Sequence, residues 1–218
     1  MGIINRAMDK VSFLTHFIGA VGSLVLLFVM LIIAFISQSE LESVLGAIVF
    51  ALSSIALYSA SSCYHFYNGD FNSSKTKRFL RKFDHAMIYV LIAGTYTPIC
   101  LKYLKYPHNY YFLLVIWLIA LMGITVKLFW INAPRFISTA FYLLMGWALI
   151  FDFSAFKSVP LGCFVLLAIG GISYTIGAVI YALKKPNWFK NFGFHELFHI
   201  FVMIGSLFHF IAVIVYVL

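Results

Sequence analysis

Charge is what this sequence has least of. Asp, Glu, Lys and Arg make up 10% of its 218 residues, whereas 63% are hydrophobic. A soluble domain carries roughly 25% charged residues, so a water-soluble globular class is excluded. Acidic residues are scarcer still, seven against fifteen basic, which leaves a net charge of +8. The basic residues fall in short segments between apolar runs, so orientation in a membrane accounts for them and no nucleic-acid partner is expected. Cysteine is limited to Cys63, Cys100 and Cys163, each in or at the end of an apolar run. That excludes a disulfide framework. No glycine-rich phosphate loop occurs, which leaves nucleotide chemistry without support.

Long apolar runs are abundant, and they define the class as an all-α polytopic membrane protein. Seven spans can be drawn, at Phe13–Ile36, Ser43–Tyr64, Phe83–Tyr103, Tyr110–Trp130, Phe136–Phe153, Leu161–Leu183 and His195–Leu218. Each is near the ~20 residues that cross a bilayer core. The first is too long for the core of a signal peptide and reads as a retained helix. In MGIINR, Arg6 stands where a myristoylation signal needs Ser or Thr. The widest break between spans is a loop at Asn68–Lys82, and residues 1–218 read as a single domain.

With a cytoplasmic N-terminus, twelve of the fifteen basic residues fall on the inside and only Lys102, Lys105 and Lys157 outside. The positive-inside rule therefore places the N-terminus in the cytoplasm and the C-terminus on the far side of the cell membrane. This orientation also sorts the histidines. His16, His65, His85, His195 and His199 share one depth, near the cytoplasmic side, with Asp84 beside them. Ionisable groups at that depth are expensive and mark a functional site by default.

His195 and His199 are four residues apart, about 40° round the helix and about 6 Å along it. Two imidazoles at that spacing can chelate one tetrahedral Zn2+. His65, at the same depth on another helix, is the best-placed third ligand. Ser61, one turn before His65 on the same face, suits a polar companion that orients a water on the metal. Asp84 is level enough to accept a hydrogen bond from that water. Three protein ligands with one open position is the catalytic type of zinc site. Against this stands a plainer reading, in which paired membrane histidines only hydrogen-bond to neighbouring helices. His85, about 100° round its helix from Asp84, is expected to face elsewhere. His16 is open between a site residue and a cap or interface group, His108 reads as a solvated loop residue, and His209 as a hydrogen-bonded interior histidine. Cys63 lies about 200° round from His65 and is rejected as a ligand.

The segment HELFH, His195 to His199, also fits the H-E-x-x-H of zinc proteases. That reading requires Glu196 aimed at the metal and a third ligand further on. The only later His, Asp or Glu is His209, about 15 Å deeper than His199, which is too far.

Three segments together, SSCYH (Ser61 to His65), FDHAMIYVLIAGTYTP (Phe83 to Pro98) and HELFH, resemble the signatures of the hemolysin III proteins. These form the bacterial branch of the progestin and adipoQ receptor family. The signatures are S-x-x-x-H after the second span, D-x-x-G-I opening the third and H-x-x-x-H opening the seventh. THFIGA, Thr15 to Ala20, is similar to the family's first-span opening, and the resemblance covers essentially the whole chain. It implies zinc ligation by His65, His195 and His199, with Ser61 and Asp84 as the polar companions. Met87 departs from the pattern by standing where the family has glycine. Glu196 occupies a free position and receives no catalytic part. The family's similarity to alkaline ceramidases implies hydrolysis of a lipid amide.

The leading expectation is thus a zinc-dependent hydrolase acting on a lipid amide or ester, with membrane lipids as its partners. A second reading is a non-enzymatic lipid or small-molecule sensor in which zinc braces three helices. A third is a membrane-lytic, hemolytic protein, although nothing in the chain reads as a soluble, inserting toxin.

Overall fold

The computed structural model describes residues 6–130, 134–189 and 192–218. The myristoylation motif, apart from Arg6, and the inside charge Lys190 lie outside the described residues. The fold is all-α, 84% helical, with seven apolar segments long enough to cross a membrane. The helices are α1 (Lys10–Ile36), α2 (Leu41–Phe66), α3 (Lys75–Tyr103), α4 (His108–Phe129), α5 (Arg135–Gly146), α6 (Leu161–Leu183) and α7 (Phe194–Tyr216). Their outward faces stay apolar, with Phe28, Ile32, Val115 and Met122 each at least half exposed. That is the surface expected of helices solvated by lipid rather than water.

Consecutive helices pack side by side, and α1 also meets α7, so the bundle closes on itself. The tightest contact, between α2 and α3, depends on small residues. A Cβ on Gly46 would lie 2.6 Å from the Pro98 Cα, so the absent side chain is what lets the two backbones touch. Met87 is partly buried against the core, so a long side chain is accommodated at that position.

Three elements differ from the sequence expectation. The loop drawn at Asn68–Lys82 is helical from Lys75 onward. Asp70 Oδ2 accepts from the Asn72 and Ser73 amides, and Ser74 Oγ accepts from the Lys77 amide, which starts α3 at its charged end. The charges do not prevent a helix, because Lys77 Nζ donates to the Tyr64 and Tyr67 carbonyls at the end of α2, at 2.7 and 2.9 Å. The fifth span is not one continuous helix. After Gly146 the chain runs as a 3-10 helix, Ala148–Ser158, broken at Asp152 (φ −139°, ψ 43°). Finally, a small antiparallel hairpin, β1 (Asn187–Phe189) with β2 (Phe192–Gly193), joins α6 to α7. Its last residue is the residue from which α7 springs, so it sets where the seventh helix begins.

Candidate metal centre and cavity

The three histidines singled out by spacing meet at one end of the bundle. His65 ends α2, and His195 and His199 occupy the first turns of α7. One ligand nitrogen from each lies within 4.8 Å of the others. The ring nitrogens His65 Nε2 and His195 Nε2 face each other at 3.1 Å. Two imidazole nitrogens that close share either one proton or one cation.

The start of α7 explains the placement. Glu196 Oε2 accepts from the Gly193 amide at 2.8 Å, closing the first turn, while Glu196 Oε1 accepts from Ser12 Oγ of α1 at 2.8 Å. Both carboxylate oxygens are therefore engaged in holding α7 to its own cap and to α1. Glu196 thus caps α7 and ties it to α1.

Two of the three histidines, His65 and His199, have a partner for the second nitrogen. His65 Nδ1 donates to Asp9 Oδ2 at 3.0 Å, and the Asp9 amide donates to the His65 carbonyl at 3.2 Å. Asp9 precedes α1 and is half exposed; the His65 hydrogen bond holds its carboxyl below the usual range, against the effect of partial burial. Thr15 Oγ1 spends its own proton on the Val11 and Ser12 carbonyls and faces His199 Nδ1 at 3.4 Å, so it accepts there. Both contacts leave Nε2 as the nitrogen free to ligate, the arrangement in which a carboxylate or hydroxyl orients a ligating histidine. The donor set is therefore suited to Zn2+: three imidazoles, two of them oriented from behind.

Asp9 was missed by sequence reasoning. It lies outside every apolar run, and nothing in its spacing ties it to a histidine 56 residues away. His16 is also brought in: it is buried, its ring stacks on His199 with centroids 3.6 Å apart, and neither of its ring nitrogens has a partner among the described residues. Its depth was legible; its direction was not.

Beside the histidines a cavity of about 180 Å³ opens into the bundle. His16, Ser61, Asp84, His195 and His199 all line it, so both proposed polar companions face the same space as two of the three candidate ligands. Ser61 Oγ is buried and unpartnered among the described residues. Asp84 is buried with Oδ2 3.5 Å from His85 Nδ1. His85 lines the cavity too, which corrects the expectation that it faces elsewhere; its ring turns back along the helix to the Arg81 carbonyl at 2.9 Å. The cavity continues past Tyr174 and His209 to Ile99, Phe156 and Val159, and that length is mostly apolar. His209 is an interior residue as expected, with Nε2 3.3 Å from the Leu167 carbonyl. His108 is the first residue of α4 rather than a loop residue, and its Nε2 lies 2.6 Å from Asp152 Oδ2. Cys63 is exposed and apart from the cluster, consistent with its rejection as a ligand.

A seven-helix bundle with three histidines converging at one end and an apolar cavity beside them defines a class of integral membrane protein. Comparison with known proteins gives the family. The model of the Haemolysin-III related family matches residues 5–210. The chain is similar to the Hemolysin-3 homolog of Bacillus subtilis (strain 168), 36% identical over 204 residues that cover 93% of this chain and 91% of that one. It is also similar to Hemolysin-3 of Bacillus cereus, 35% identical over 208 residues, covering 94% and 90% of the two chains. The chain belongs to the haemolysin III family.

Proposed function

We propose that this protein is a zinc-dependent hydrolase of a membrane lipid amide or ester, formed as one seven-span domain over residues 1–218. Its N-terminus is cytoplasmic, its C-terminus lies outside, and the centre sits near the cytoplasmic face of the cell membrane. The observation that carries the reading is the convergence of His65, His195 and His199 within 4.8 Å, beside a cavity that Asp84 and Ser61 also line.

His65, His195 and His199 would hold the metal. Zinc bound there supplies Lewis acidity, lowering the pKa of water towards ~7 and polarising a carbonyl. Asp9 and Thr15 hold the His65 and His199 rings with Nε2 inward. Asp84 has one oxygen against His85 and one left to take a proton, so it serves as the general base. The free Ser61 hydroxyl orients the attacked group or the water beside it. The apolar length of the cavity suits the hydrocarbon of a lipid and keeps bulk water from the reacting atoms. The resemblance to alkaline ceramidases favours an amide as the bond cleaved.

One observation favours a second reading. A fourth imidazole, His16 of α1, stacks on His199 outside the group of three. With its ring turned onto the metal, four side chains would enclose the ion and brace α1, α2 and α7 in a lipid sensor with no turnover.

Metal analysis joined to a lipid comparison tests both. Purified protein is expected to carry about one zinc per chain, lost in His195→Ala and His199→Ala. Asp84→Asn is expected to keep the zinc while cells accumulate an uncleaved lipid. Full zinc in both histidine variants would sink the metal assignment. Zinc loss without any lipid change in Asp84→Asn would leave the sensor.

A further inference from the structure

The cavity wall carries positive charge that the metal centre does not use. Arg81 of α3, Lys127 of α4 and Arg135 of α5 all line it, and the only carboxylate among its lining residues is Asp84. Asp84 has His85 against it. None of the three cations forms an ion pair among the described residues. Lys127 is 3% exposed, and among the described residues its ammonium donates only to Ser138 Oγ on α5. Among the described residues Arg135 Nη1 is buried without a hydrogen-bond partner, as is Thr139 Oγ1 one helical turn further on; Thr139 is 5% exposed.

Positive residues at the cytoplasmic end of a span ordinarily turn outward to water and lipid headgroups. These three line the cavity instead, with Lys127 buried and Arg81 and Arg135 partly so, and a buried charge without a counter-charge is destabilising. Two unsatisfied donors from one helix, together with an ammonium offered from another, face the same space. Such an arrangement is relieved by an anion with several oxygens.

We infer that Arg81, Lys127 and Arg135 form a binding site for a phosphate group, with Ser138 and Thr139 as neutral donors, and that the phosphate belongs to the headgroup of a lipid whose hydrocarbon occupies the apolar length of the cavity. Cations approaching from three helices suit a tetrahedral group that presents oxygens in three directions; a carboxylate has two, in one plane. The site adjoins the histidines. The Arg135 guanidinium lies over the Tyr181 ring at 5.0 Å, and that ring is 5.9 Å from the ring of His195. A headgroup phosphate held there leaves the adjoining linkage beside the metal centre. The inference rests on the reading of the cavity as a lipid site, and not on metal or turnover.

Binding to the full chain in an uncharged detergent tests it, with three labelled probes: a short-chain phosphatidic acid, the diacylglycerol that lacks only the phosphate, and inorganic phosphate. Phosphatidic acid is expected to bind roughly tenfold or more tightly than diacylglycerol, the difference of a charge-assisted contact. Arg135→Gln and Lys127→Met are each expected to remove most of that preference without changing diacylglycerol binding. Should Lys127→Met fail to fold, Arg135→Gln and Thr139→Val carry the test. Inorganic phosphate displaced by phosphatidic acid supports one shared site. Equal binding of the two lipids in wild type overturns the proposal. Inorganic phosphate that binds while phosphatidic acid neither binds nor displaces it overturns the lipid assignment. His195→Ala, measured in parallel, is expected to keep the preference, so a failed metal reading would be seen separately.

Discussion

Asp9 offers the sharpest test of the proposed centre, because it touches a candidate ligand from behind and does not itself line the cavity. Its Oδ2 accepts from His65 Nδ1 at 3.0 Å. Removing such a carboxylate typically costs 10–100-fold in metal affinity. Asp9 is 47% exposed, so solvent screens the contact and the lower end applies: about tenfold, or about 1.4 kcal/mol, for Asp9→Ala. Asp9→Asn keeps an acceptor oxygen without the charge, and its loss is expected to be smaller. In both variants the backbone bond from the residue 9 amide to the His65 carbonyl remains, so α1 stays docked. Zinc affinity is read by competition with a chromophoric chelator at fixed pH, with His65→Ala as the null. Wild-type affinity in Asp9→Ala would refute the orienting role. So would an Asn variant weaker than the Ala variant.

Three further outcomes are expected. Glu196→Gln should retain full zinc but lower thermal stability by about 1 kcal/mol, since one of its two acceptor contacts, to Ser12 or to Gly193, is lost; loss of turnover with zinc and stability unchanged would restore the protease reading. Gly46→Ala should destabilise by about 1–3 kcal/mol, read as a fall in Tm, because its Cβ meets the Pro98 backbone at 2.6 Å and backbone cannot rotate away; an unchanged Tm would show that α2 and α3 are free to separate. A phosphatase reporter fused at Leu218 should be active and a fluorescent-protein fusion there dark, as an outside C-terminus requires; the reverse pattern would overturn the orientation and with it the cytoplasmic position of the centre.

The seven spans and the depth of the histidines were legible because both follow from one-dimensional quantities. An apolar run must be long enough to cross the hydrocarbon, and a residue's position within the run fixes its height. The i, i+4 spacing of His195 and His199 also fixes their shared face, whatever surrounds the helix. Those three facts brought His65, His195 and His199 to one level before any packing was known. Azimuth and neighbours are different, because they depend on which helix lies against which. His16 was legible in height, yet only the packing of α1 on α7 stacks it on His199. His85 looked averted from Asp84 by helical angle alone, but the cavity is wide enough for both to face it. The early start of α3 and the break of the fifth span at Asp152 were hidden for a related reason: hydropathy records where lipid begins, not where helical hydrogen bonds begin. The sequence by itself determined the class, the number of spans and the level of the three histidines, since bilayer thickness and helical rise are fixed lengths. Only the tertiary structure decided that Asp9 stands behind His65, that Glu196 is a tie between α1 and α7, and that Arg81, Lys127 and Arg135 line one cavity. Each of those requires segments distant in the chain to meet, and no local period encodes that meeting.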